Sequence, residues 1–201
     1  MSRIIGCESL YLAPVTKDDA TGTTFGAPKS VPSLISIDIS DQTDNVTFYS
    51  DDRVEQVIPS FTGKEVSIEL GYLTNELEGL ISGNDYTKGV LTQTTNPNAG
   101  EFALMFRAPK SRGGAYSYVC LYKGVLSKEE SKYKGKEDKM ESSNVTLKGV
   151  FMPLVSNGKV SIKADSDDTS PSPLISTWFT KVPVVGESSE GSEVSSQLKS
   201  K

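Results

Sequence analysis

Two short runs constrain the fold of this 201-residue chain more than anything else in it. In Leu34-Ile-Ser-Ile-Asp-Ile-Ser40, the side chains of Ile35, Ile37 and Ile39 alternate with those of Ser36, Asp38 and Ser40. In Lys64-Glu-Val-Ser-Ile-Glu-Leu70, Val66, Ile68 and Leu70 alternate with Glu65, Ser67 and Glu69. A period of two belongs to a strand, with one face dry and the other turned to water or to a partner. Burying each Ile or Leu is worth about 1.5–3 kcal/mol. A slip of one residue would expose all of them, so the register is strongly fixed.

The same period recurs downstream. Residues 101–108 and 115–123 flank Pro109-Lys-Ser-Arg-Gly-Gly114, whose Gly-Gly pair and short span predict a hairpin. Phe102, Leu104 and Phe106 share one face of its first arm. Tyr116, Tyr118, Cys120 and Tyr122 share one face of the second, with Val119 and Leu121 opposite. Residues 144–152 and 159–164 read as further strands, and residues 176–182, carrying the sole tryptophan Trp178, as the last. One segment has helical spacing instead: Leu73, Leu77, Leu80 and Ile81, with Thr74 as a start and Gly83 as a stop. The predicted fold is therefore mainly β, an antiparallel sandwich or barrel-like domain over residues 1–182 with one short flanking α-helix.

Three segments lack such patterns. Residues 14–33, rich in Thr, Gly and Pro, read as a loop. Residues 127–143 form a long charged connection carrying Lys128, Glu129, Glu130, Lys132, Lys134, Lys136, Glu137, Asp138 and Lys139. Residues 183–201 are Ser/Glu-rich with few apolar side chains, and read as a flexible C-terminal tail.

Little in the sequence points to chemistry. There is no histidine, so no Ser-His-Asp or Cys-His pair and no His-ligated metal. No Gly-rich phosphate loop is present. Ser131–Lys134 and Ser156–Lys159 match a Ser/Lys hydrolase spacing, but one lies in the charged connection and the other in an Asn-Gly turn. Asp165-Ser-Asp-Asp168 lacks the Gly and Glu that a calcium loop needs, and Asp18-Asp19 and Asp51-Asp52 read as turn residues. Two cysteines are a poor disulfide framework, and Cys120 in its apolar run reads as a buried small hydrophobe. The stretch before Cys7 is too short for a signal-peptide core, and no window is long and apolar enough to span a membrane. Asn45-Val-Thr and Asn144-Val-Thr match glycosylation sequons, yet read as turn and strand residues in a protein made in the cytosol. Catalytic, cofactor and metal residues are all predicted to be none. The net charge of −5 argues against a protein whose task is to grip nucleic-acid phosphates.

An ordered set of short runs carries a resemblance. Tyr11-Leu-Ala-Pro-Val-Thr-Lys-Asp-Asp-Ala-Thr-Gly-Thr-Thr-Phe-Gly-Ala-Pro28, Leu34–Ser40, Thr47-Phe-Tyr-Ser-Asp-Asp52 and Glu65–Leu70 together resemble the major tail protein, or tail tube protein, of long-tailed phages with non-contractile tails that infect Gram-positive bacteria. The likeness runs to about residue 182 and fades in the Ser/Glu tail. It implies a structural, non-enzymatic virion protein of the tail, assembled in the host cytoplasm. Copies would form hexameric rings by joining inner sheets, and the rings would stack into a hollow tube around a tape-measure protein. Tail tip and terminator proteins would be further partners. Double-stranded DNA would pass through without specific binding, and no membrane or cofactor is implied. Under this reading Asp38, Glu65 and Glu69 are candidate lumen carboxylates, because they lie on polar strand faces and would repel phosphates. Lys128 to Lys139 is the candidate inter-ring loop, with residues 14–33 a second. The alternative is a monomeric β-sandwich binding or adhesin module that uses Tyr116, Tyr118 and Tyr122 to stack on sugars.

Overall fold

The computed structural model describes residues 2–95, 97–111, 113–129, 144–168 and 173–184, with the backbone alone at 49 and 50. The chain forms strands β1 (Glu8–Asp19), β2 (Gly22–Phe25), β3 (Lys29–Val31), β4 (Leu34–Ser50) and β5 (Arg53–Leu70), then helix α1 (Asn75–Ser82). Strands β6 (Asp85–Thr87), β7 (Val90–Thr92), β8 (Phe102–Pro109), β9 (Tyr116–Lys128), β10 (Val145–Phe151) and β11 (Ser161–Asp165) follow, before a 3₁₀ turn at Pro173–Thr177. All pairings are antiparallel: nine strands form one sheet in the order β2-β1-β8-β9-β10-β5-β4, with β3 beside β1 and β11 beside β9, and β6 pairs with β7 in a separate two-stranded sheet. The domain is thus mainly β and sandwich-like, with one short α-helix among the described residues.

The strands β1, β8 and β9 form a central layer that is dry on both sides. On one side Leu10, Leu12, Phe102, Leu104, Phe106, Val119 and Leu121 meet Val66, Ile68 and Leu70 of β5, Leu147 and Phe151 of β10, and Leu73, Leu77 and Ile81 from the α1 segment. On the other, Ala103, Met105, Tyr118, Cys120 and Tyr122 pack under Trp178 and Val182. The alternation therefore holds on both hairpin arms, but its two faces enter two different cores. Burial pushes the Cys120 thiol pKa up, which keeps it an inert core residue.

The helix forms where its spacing predicts. The Thr74 hydroxyl accepts from the Leu77 N–H at 3.3 Å, and Glu76 and Glu78 sit in the first turn, where the helix dipole favours carboxylates. Gly83 ends the helix with φ of 70°, and its N–H reaches Gly79 O. A Cβ at Gly83 would lie 2.1 Å from the Asn98 carbonyl carbon, so both the conformation and the space call for glycine.

Four expectations change. Residues 14–33 are not a loop: they hold the second half of β1, β2 and β3, because Thr-rich runs pair readily at a sheet edge while Pro28 and Pro32 fall between strands. Residues 176–182 are not a strand. They form the end of the 3₁₀ turn and its continuation, with Trp178 N–H donating to Ile175 O, so that Trp178 and Val182 cap the second core. The charged connection starts later than residue 127, since Ser127 and Lys128 still belong to β9. The packed domain extends to Pro183, which is buried and whose carbonyl accepts the Tyr122 hydroxyl at 3.0 Å. Residues 185–201 of the Ser/Glu tail lie outside the described residues.

The largest departure is in β4 and β5. Both run far beyond the alternating segments, to 17 and 18 residues. β10 pairs with β5 only from Lys64 to Leu70, so residues 43–61 pair with nothing but each other. This two-stranded arm extends roughly 25 Å past the sheet. It turns at Asp51 and Asp52, both with positive φ (49° and 58°), the geometry of a tight two-residue hairpin.

Candidate functional site

Two surfaces stand out: a polar face of the sheet and the projecting arm. Direct cross-strand partners point to the same side of a sheet. Glu65 faces Ser40, Ser67 faces Asp38, and Glu69 faces Ser36, so the three candidate carboxylates Asp38, Glu65 and Glu69 share one face. The buried residues Val66, Ile68 and Leu70 occupy the other. The same outward face continues across β10 and β9 through Val150, opposite both Glu65 and Val125, and through Lys148, opposite Ser67 and Ser127.

The charges on this face are unequal. Lys148 Nζ lies 2.6 Å from Glu129, which raises the lysine pKa and consumes the face's one described cation. Glu69 accepts from the Asn144 amide at 2.7 Å. Asp38 and Glu65 have no ion-pair partner among the described residues. The face is a net acidic surface, able to repel a polyanion.

The candidate loop residues divide. Lys128 ends β9 and donates to both Glu78 oxygens at 2.9 Å, tying the strand to α1. Glu129 follows it and pairs with Lys148. Glu130, Lys132, Lys134, Lys136, Glu137, Asp138 and Lys139 lie outside the described residues, as does Ser131–Lys134.

The sequence alone does not single out the arm as a functional element. Val46 and Ile58 sit opposite each other on one side, and Thr47 and Val57 on the other. Val46, Phe48, Val54, Val57, Ile58 and Phe61 are all exposed. An isolated two-stranded ribbon is marginal in water, and apolar side chains on both of its faces ask for a partner. Its signal in the sequence was weak, because apolar residues fall on both faces and break the simple alternation.

Other groups prove structural. Asp18, read as a turn residue, has a side chain only 2% exposed, 2.9 Å from Lys123 Nζ. Burial acts to raise its pKa, but Lys123, the Val155 N–H and the Thr23 hydroxyl together hold it below the usual carboxylate range. Lys110 pairs with Asp165 and Asp167, which accounts for two carboxylates of the Asp-rich turn. Ser156 is hydrogen-bonded to Thr23 at 2.7 Å. Tyr118 and Tyr122 are buried, and Tyr118 packs on Trp178 with ring centroids 5.5 Å apart. Tyr116 lies under the Arg107 guanidinium at 4.5 Å. The tyrosine stripe is core rather than a sugar-stacking surface. Among the described residues no three His, Cys, Asp or Glu side chains are grouped to hold a metal, and no helix is long and apolar enough to cross a membrane.

The chain matches no family model, and no curated protein matches it in sequence. Its class rests on the fold of the described residues: an antiparallel, mainly β domain with one short helix, with β4 as an edge strand and a projecting arm.

Proposed function

We propose that this chain is a structural, non-enzymatic subunit of a hollow tube, in which rings of copies stack around a tape-measure protein and through which DNA passes, as in the tail of a long-tailed phage. The observation that carries the reading is the β4–β5 arm. It leaves the sheet with apolar side chains exposed on both faces, in a chain whose own core has no place for them. Contact with further copies would cover that surface and satisfy the open edge of β4. A contact between two different surfaces of identical subunits generates rings when the rotation closes.

The acidic face supports the second half of the reading. A conduit for a polyanion works best when its wall does not bind the cargo. Asp38, Glu65 and Glu69 on one sheet face would give such a wall. Assembly would take place in the host cytoplasm, with the subunit ending in the virion tail alongside tail tip and terminator proteins.

The test is a concentration series of the purified chain by size exclusion with light scattering, with tape-measure protein and an initiator complex supplied. The expected result is a shift from monomer to ring-sized and larger species. A single monomeric species throughout would overturn the reading. The adhesin alternative loses its main support, because two of its three tyrosines are buried.

A further inference from the structure

The β4–β5 arm leaves the sheet through one irregular point. Gln42 faces Gly63, but the next residue of β4, Thr43, faces Phe61, so Thr62 is an extra residue with no cross-strand partner. This is a β-bulge, which bends and twists the strand that carries it. The Thr62 hydroxyl donates to Gln42 O at 3.1 Å. On the sheet side of the bulge the backbone is hemmed in. A Cβ at Gly63 would lie 2.7 Å from Phe151 O, where β10 ends, so only glycine fits. On the far side, residues 43–61 pair with no other strand among the described residues.

The bulge also decides which side chains meet across it. Asp41 faces Lys64, and Thr43 faces Phe61. Asp41 and Thr43 lie two apart on β4 and share a face, so their partners Lys64 and Phe61 share it as well. On a regular strand, residues three apart would point to opposite faces. The extra residue therefore brings the Lys64 ammonium over the Phe61 ring, 5.7 Å from its centre. The same ammonium forms an ion pair with Asp41 and is largely shielded from solvent.

We propose that the arm is a pivoting element, hinged at the Thr62 bulge and latched at one angle by Lys64, which grips the Phe61 ring while Asp41 holds it in place. The inference stands on the single copy and does not require the tube. Two features favour a latched hinge over a rigid extension. The first is the joint itself. A two-stranded ribbon is joined to the sheet through a bulge, and the Lys64–Phe61 contact spans that bulge from the sheet side to the arm side. The second is access. The Asp41 side chain is 59% exposed and Phe61 is 43% exposed, so a partner that takes either group frees the ribbon to swing. Under the tube reading that partner is a further copy.

The experiment is a distance measurement by double electron–electron resonance on dilute protein verified as monomeric by light scattering. Spin labels are placed at Gln56→Cys on the arm and Ser127→Cys on the sheet, both exposed, in a Cys7→Ser background with Cys120 buried. The chain with its latch intact should give one narrow distance distribution. Lys64→Met and Phe61→Leu should each broaden it by about twofold, since a cation–π contact at a partly exposed site biases conformers only modestly. Deleting Thr62 should keep the distribution narrow and shift its mean, because the bend goes while the contact stays. Native folding of each variant is checked by Trp178 fluorescence, and Phe61→Leu carries the latch test if Lys64→Met does not fold. An unchanged width in Phe61→Leu would overturn the latch, as would a distribution already as broad with the latch intact. An unchanged mean on deleting Thr62 would overturn the hinge. Absence of rings or tubes in microscopy would count against the tube reading and leave these results standing.

Discussion

Val46 lies directly opposite Ile58 on the β4–β5 arm, and both side chains are nearly half exposed, at 49% and 44%. Such a pair stabilises a hairpin a little, but it leaves most of its apolar area in water. The relationship separates folding from assembly, since the core does not need these side chains. Val46→Asp with Ile58→Asp should change monomer stability by no more than about 0.5 kcal/mol per site. Ring and tube formation should be lost. Thermal unfolding followed by Trp178 fluorescence, together with sedimentation, checks both halves.

The largely shielded pair Asp18–Lys123 ties β1 to β9, and its loss should be costly. Removing one partner of a shielded pair leaves a charge uncompensated, so Asp18→Ala should destabilise by about 3 kcal/mol. Replacing both, with Asp18→Ala and Lys123→Met, should cost less than the sum of the single changes in a chemical-denaturation cycle.

The same pair gives a signed pH dependence. Asp18 has a folded pKa below its ordinary value of 3.8, so its contribution is complete above that value and is lost as pH falls through the folded one. Lys123 has a folded pKa raised above 10.5, chiefly by its hydrogen bond to Asp18, so its contribution is complete below that value and is lost as pH rises through the folded one. Denaturation midpoints measured from pH 2 to 7 should fall on the acid side more steeply in the native chain than in Asp18→Asn. Parallel profiles would remove this pair from the acid response.

The two ends of α1 should respond unequally. Thr74→Ala removes one side-chain cap and should cost about 1 kcal/mol. Gly83→Ala must place a Cβ against the Asn98 backbone in a left-handed conformation, and should lower the midpoint distinctly more than Thr74→Ala. Equal losses would mean that the turn after α1 rearranges freely.

Much of the fold was legible because its alternating runs are paired with each other. Val66, Ile68 and Leu70 are fully buried as their period predicts, and the helix from Thr74 to Gly83 has the caps its sequence offers. Ile35 and Ile39 follow the same period yet stay exposed, because β4 is an edge strand with no further strand beside it among the described residues. Asp18 carried no readable signal, since its partner lies 105 residues away. Thr-rich β2 and the three-residue β3 between Pro28 and Pro32 resemble loop by composition, and Trp178 resembles strand by its apolar neighbours, although what fixes each is tertiary packing. The shared face of Asp38, Glu65 and Glu69 was implied by alternation, but only the register of β4 on β5 places them side by side.

The carboxylates have their own assay. Glu65→Lys with Glu69→Lys should leave tails of normal length and lower DNA delivery from them, because a cationic wall would hold phosphates. Unchanged delivery would remove that role from these two residues.

The most direct test of the central claim is negative-stain microscopy of the unmodified chain at high concentration, with tape-measure protein and initiator complex present. The account predicts rings with an open centre, stacked into hollow tubes. A field of monomers under every such condition would contradict it.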